Sequence, residues 1–208
     1  MIIDISPVLC PETAVWPGDL PLSQNNQCQL ANGDSIDLSS LHTTVHIGAH
    51  ADAPSHYHPE GGSIETVDLS VYWGDCYVVN CKGFKVITSD SCKVIANLNA
   101  ERVLFRTNTF PDPNHFNQDF AYFNPDAIEF LAHNGVKLIG IDTPSIDPFD
   151  SKDLQAHHAI YKYGIKNLEG LILNEVDEGW YELSALPLKL KGFDASPVRA
   201  VLKKLDKK

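Results

Sequence analysis

Four of the nine histidines fall within fourteen residues, "VHIGAHADAPSHYH", positions 45 to 58, and an aspartate sits among them. His46, His50, Asp52 and His56 occupy even positions, while Val45, Ile47, Ala49, Ala51 and Ala53 fill odd ones. That is a period of two, which gives extended chain one apolar side and one polar side. Imidazole with carboxylate is a ligand set for zinc, manganese or iron. No cysteine lies in the stretch, which argues against a structural thiolate site. A straight strand cannot gather these groups. At about 3.3 Å per residue, His46 and His50 would lie roughly 13 Å apart, whereas metal–nitrogen bonds are about 2.0–2.1 Å. The spacing predicts a strand end that bends into a loop at Gly48, with Pro54 ending regular pairing. A short helical turn is the other way to bring positions i and i+4 together. A surface loop that is merely histidine-rich is the plainer reading, and the alternation with an embedded aspartate weighs against it.

Further candidates lie far along the chain. His157 and His158 fall on an expected helix, and Glu169 just before an expected strand. Adjacent helical positions diverge by about 100°, so only one of the two histidines can face a given site. Trp16 sits in "VWPGD", a turn-like context that suits a pocket wall better than a core strand. Arg106 and Arg199 could meet a substrate carboxylate, but ordinary ion pairing is the better account of each. His42 and His58 have no assigned role.

The elements that must position these groups can be read in outline. "MIIDIS", "CYVVNC", "RVLFRT" (102–107) and "VKLIGID" (136–142) read as strands, rich in β-branched and apolar residues. "LEGLIL" and "WYELSALPL" read as late strands. Asn124 caps a helix that begins at Pro125 and stops at Gly135. A second helix is expected to begin near Asp150 or Ser151 and run to Gly164. Residues 110–114, Phe-Pro-Asp-Pro-Asn, read as an exposed loop. Short strands with few helices between them predict a mixed α/β, or α+β, fold rather than a regular doubly wound sheet.

With 208 residues, 43% of them hydrophobic, the chain can bury one good core, so residues 1–208 are expected to form one domain. The formal charge of -11 disfavours nucleic acid and anionic membrane as partners. "MIIDISPVLC" lacks the basic start of a secretory signal. No apolar run approaches the roughly 20 residues of a membrane span. The five cysteines are widely spaced and form no CxxC. They read as reduced thiols of a cytoplasmic protein, packed as small hydrophobes.

His46-Ile-Gly48-Ala-His50-Ala-Asp52-Ala-Pro54-Ser-His56 resembles the signature of the cyclase family of metal-dependent hydrolases. "DISP" at 4–7, "VWPGD", "GVKLIGIDTPSIDP" at 135–148, "LEG" at 168–170 and "ALPLKLKGFDASPVRAVL" at 185–202 resemble one branch of it, the bacterial kynurenine formamidases, or arylformamidases. The likeness covers nearly the full chain and is weakest from Phe110 to Phe120. It implies a cyclase-like β/β/α fold with a mixed sheet flanked by a few helices, and a homodimer. It also implies two divalent metal ions per subunit, zinc with manganese as the alternative. His46, His50, Asp52, His157 and Glu169 would be the ligands, with Asp52 and Glu169 bridging. His56 would be the acid/base and Trp16 would line the substrate pocket. The implied reaction is hydrolysis of N-formyl-L-kynurenine to L-kynurenine and formate by a metal-activated water, a step of tryptophan degradation. A sister hydrolase of another small amide or a lactam such as isatin is the alternative. A metal-binding or scaffold domain without activity would not need a spare histidine such as His56.

Overall fold

The computed structural model describes residues 1–205. Its strands are β1 (Ile2–Asp4), β2 (Ser23–Cys28), β3 (Leu38–His42), β4 (His50–Asp52), β5 (Trp73–Asn80), β6 (Val86–Ile87), β7 (Arg102–Arg106), β8 (Tyr122–Phe123), β9 (Leu138–Ile141), β10 (Lys166–Glu169), β11 (Gly179–Ser184), β12 (Ala195–Pro197) and β13 (Val201–Lys204). Two α-helices, α1 (Pro125–His133) and α2 (Gln155–Tyr163), join several short 3₁₀ segments, the longest Asp90–Asn97. Nine strands form one mixed sheet in the order β1-β13-β11-β5-β7-β9-β10-β4-β12. The run β5-β7-β9-β10 is parallel and the remaining pairings are antiparallel. The expected mixed α+β architecture is the one observed.

Two cores flank this sheet. Val103, Phe105, Ile139 and Ile141 pack with α1, α2 and the Asp90–Asn97 turn. The alternate residues, Leu104 and Leu138, pack on the other side with Ala49, Ala51, Leu183 and Leu202. Central parallel strands buried on both faces explain why "RVLF" and "LIGI" carry no polar alternation. The second core joins β4 to β13, which stand far apart in the strand order, so the sheet must curl on itself. Ile5 completes the curl, donating to Ala200 O and accepting from Ile172 N–H.

α1 follows its sequence signals. Asn124 Oδ1 accepts from Asp126 N–H, and the helix gives way to Gly135. α2 does not begin at Asp150 or Ser151. It begins at Gln155, after Leu154 in a left-handed conformation (φ 43°). The cap comes from upstream, because Asp147 Oδ1 and Oδ2 accept from the N–H groups of Ala156 and His157. The strand expected through "LEGLIL" ends at Glu169, and "WYELSALPL" is strand only to Ser184. β2, β3, β6, β8, β12 and β13 are strands that the sequence does not predict. The Gln-, Asn- and Ser-rich hairpin β2–β3 has the composition of a loop.

Candidate metal centre

The carboxyl ends of the parallel strands open into a cavity of about 520 Å³. This is where an open α/β sheet offers backbone and side-chain groups free of sheet pairing. Glu169 ends β10 there, and Asp142 follows β9. His50 and Asp52 come from β4, paired antiparallel to β10 with His50 opposite Glu169. His46 lies in a turn before β4, not on a strand that bends after it. The turn does what the ligand chemistry asks, bringing the His46 and His50 rings to 5.1 Å between centroids. It passes through Gly48 at φ +58°, where a Cβ would strike Leu9 and Pro7. Gly170, at φ +64°, lets the next loop approach closely, since a Cβ there would meet Gly48 O at 2.2 Å. Two glycines thus seat the histidine turn against the end of β10.

The five residues converge. His46 Nδ1 is 3.1 Å from Asp52 Oδ1, and His50 Nε2 is 3.5 Å from Asp52 Oδ1 and 3.3 Å from Glu169 Oε2. His157 Nε2 is 3.4 Å from Asp52 Oδ2 and 3.4 Å from Glu169 Oε1. Each carboxylate therefore turns one oxygen to His50 and the other to His157. His50 Nδ1 pairs with Gly48 O at 2.9 Å, and His157 Nδ1 with Asp147 Oδ2 at 2.7 Å. These bonds place a proton on Nδ1 and leave the Nε2 lone pairs aimed inward. His50 Nε2, His157 Nε2 and Asp52 Oδ1 are buried with no partner in hydrogen-bond geometry. Buried polar atoms are rarely left so. Lone pairs of two imidazoles and two carboxylates converging on one space are a donor set for a divalent cation. The five residues fit a metal in two groupings, His46–His50–Asp52 and Asp52–His157–Glu169, and a third grouping at the rim joins His46 to His56 and Asp194.

The electrostatics concentrate negative charge here, and the protons that His46 and His157 attract to it are those a bound cation would displace. Burial opposes charge on Asp52, yet the His157 and His46 imidazoles hold its carboxyl well below the usual range. Glu169 is likewise held down by His157 and His50, against burial and the neighbouring Asp52. Burial pushes His46 down, but Asp194 and Asp52 raise it to about 10. His157 is raised well above its ordinary value by Asp147, Asp52 and Glu169, again against burial.

His56 stands at the rim, its side chain one-third exposed, its Nδ1 3.5 Å from Asp194 Oδ2 and its ring 4.2 Å from that of His46. Burial lowers its pKa. Trp16 lines the cavity with Phe110, and its ring also meets Phe116, Phe120 and Phe149 at 5.1–6.2 Å. His158 points to solvent while His157 is buried. His42 is exposed on β3, and His58 stacks on Tyr161 at 3.7 Å. Arg106 donates to Val176 O and the exposed Arg199 pairs with Asp4; neither lines the cavity. Cys76, Cys81 and Cys92 are buried free thiols, as expected of small hydrophobes, whereas Cys10 and Cys28 are free thiols that are only half-buried.

Three residues escaped the sequence reading. Asp147 orients His157, Asp194 Oδ2 lies 3.0 Å from His46 Nε2, and Asn167 donates to both central carboxylates. Asp147 and Asp194 lie inside segments the resemblance covers, but no local spacing ties them to the histidines.

The chain matches the family model described as "Putative cyclase" over residues 3–148. A structure titled as a potential metal-dependent hydrolase with cyclase activity is 28% identical, with a TM-score of 0.82 over 97% of this chain and 96% of that one. A predicted metal-dependent hydrolase from Bacillus stearothermophilus is 29% identical, with a TM-score of 0.81 over 97% of each chain. Isatin hydrolase A from Labrenzia aggregata shares the fold, with a TM-score of 0.82 over 97% of this chain and 93% of that one, at 21% identity. With its match spanning most of the residues that build the sheet and the histidine turn, the chain belongs to the cyclase family.

Proposed function

We propose that the protein is a metal-dependent amide hydrolase that converts N-formyl-L-kynurenine to L-kynurenine and formate. The observation that carries the metal dependence is the set of buried, inward-facing lone pairs on His50, His157 and Asp52. His46, His50 and Asp52 would hold one ion and Asp52, His157 and Glu169 a second, with zinc first and manganese next by donor type. Such ions supply Lewis acidity to an amide carbonyl and lower the pKa of bound water toward about 7. The chain's own residues do the rest. Trp16 and Phe110 wall the cavity and offer an aryl ring a stacking surface. His56, outside both groupings around Asp52, is neutral at neutral pH because burial lowers its pKa. It can take a proton from the attacking water and give it to the departing amine.

One observation favours a second reading, a neutral lactam such as isatin. No Lys or Arg lines the cavity among the described residues, so a substrate carboxylate would find no cationic partner there. Absorbance-monitored hydrolysis of N-formylkynurenine and isatin, before and after chelation and metal repletion, decides. The formamidase reading expects the first substrate to dominate with metal present and neither to turn over without it. The likeness to kynurenine formamidases also supports a homodimer, which light scattering would measure. No helix among the described residues is long and apolar enough to cross a membrane.

A further inference from the structure

Asn167 is fully buried on β10, two residues before Glu169 and so on the same face of the strand. Its Nδ2 donates to Asp52 Oδ2 at 2.6 Å and to Glu169 Oε1 at 3.0 Å. Only the amino end of the amide can face two carboxylates, because the carbonyl end would set a third acceptor against two others. The carbonyl oxygen Oδ1 is meanwhile buried without a partner. An apolar side chain of the same size would avoid that cost, so what retains Asn167 is the work of its amino group.

The two oxygens it grips belong to one half of the centre. Asp52 Oδ1 and Glu169 Oε2 face His46 and His50. Asp52 Oδ2 and Glu169 Oε1, the pair Asn167 holds, are the ones that face His157 Nε2. Glu169 Oε1 has a second donor in the Ile146 N–H at 3.0 Å. Resting on the two-ion reading above, we infer that Asn167 is a positioning residue for the His157 half-site alone. It is not a ligand. It keeps two mutually repelling carboxylate oxygens at a fixed separation, so this half binds its ion with little rearrangement. Without the amide these oxygens swing apart, while the His46–His50 half, held from β4 and the Gly48 turn, is undisturbed.

The test is a stepwise titration of metal-free protein with Zn²⁺ against a chromophoric chelator, comparing wild type with Asn167→Leu and Asn167→Thr. Wild type should take two equivalents. In Asn167→Leu the first should bind as before and the second about 10–100-fold more weakly, the usual cost of losing an outer-shell partner. Asn167→Thr, with one hydroxyl for two carboxylates, should fall between, and it carries the test alone if the leucine variant does not fold. A merely structural asparagine would weaken both ions together or neither, and either result overturns the inference while leaving the two-ion reading intact. A wild-type protein that binds one ion only overturns that reading and this assignment with it.

Discussion

Two of the buried charge clusters among the described residues are satisfied in opposite ways. Arg102, on β7, is 8% exposed. Its Nε donates to Val71 O at 2.7 Å, Nη2 to Ser70 O and Nη1 to Asp75 O at 3.3 Å, and Glu101 stands 3.6 Å away. All three nitrogens have acceptors, and most of them are main-chain carbonyls. The histidine–carboxylate cluster lies on the far side of the parallel strands and leaves three buried atoms unbonded. A buried charge whose every nitrogen finds an acceptor within the chain organises the fold. A buried set of lone pairs that the chain does not satisfy is suited to something the chain does not contain.

That contrast can be broken by experiment. Asp52→Asn, at the carboxylate common to both groupings, should abolish metal loading, and His157→Ala should lower it from two equivalents to one, both measured by elemental analysis and both reducing turnover to background. His158→Ala, one residue away but in solvent, should change neither. If His157→Ala keeps both ions, the unbonded nitrogen has been misread. His56→Ala should keep full metal content and lose activity by about 10²–10⁴-fold, the usual range for a lost acid–base group. Loss of metal along with activity would move His56 into the ligand set. Arg102→Met should do the reverse of these variants. Three carbonyls would lose their donor, at about 1–3 kcal/mol for each unsatisfied group. A net loss near 3 kcal/mol corresponds to a Tm drop of roughly 6–12 °C in a domain of this size. Metal content and kcat of the folded fraction should stay at the wild-type level, and a selective loss of metal would erase the distinction between the clusters. The smallest effect sharpens the picture at the cavity wall. Trp16→Ala should weaken kcat/KM for N-formylkynurenine by more than for a small non-aromatic formamide. The stacking part of that loss is about 0.5–1.5 kcal/mol beyond area burial. Equal losses on both substrates, in folded and metal-loaded protein, would assign Trp16 to packing with Phe116 and Phe149 rather than to substrate.

Much of the candidate site was legible because its residues carry local signals. The even-numbered polar residues from His46 to His56 and the glycine between two histidines require the chain to bend if these groups are to meet. α1 was legible for the same reason, since Asn124, Pro125 and Gly135 act over one or two turns of chain. α2 was misplaced because its cap is not local. Asp147 lies eight residues before Gln155 and reaches the helix end across a loop, while Asp150 and Ser151 look like better caps than they are. The β2–β3 hairpin was missed because its residues are polar on both faces and leave no alternation to detect.

The kinds of donor atom, the need for the chain to turn near Gly48 and the exclusion of one member of the His157–His158 pair are all written in the local sequence. These depend on bond lengths, backbone sterics and helical periodicity, all of which act within a few residues. The pairing of β4 with β10, which sets His50 opposite Glu169 across more than a hundred residues of chain, belongs to the packed fold. That fold alone divides the four carboxylate oxygens between two groups of imidazoles and sets Asn167 against one pair of them. Strand register, curl of the sheet and burial arise from the packing of the whole core. A hydrogen bond between residues 52 and 167 leaves no trace in the local pattern around either.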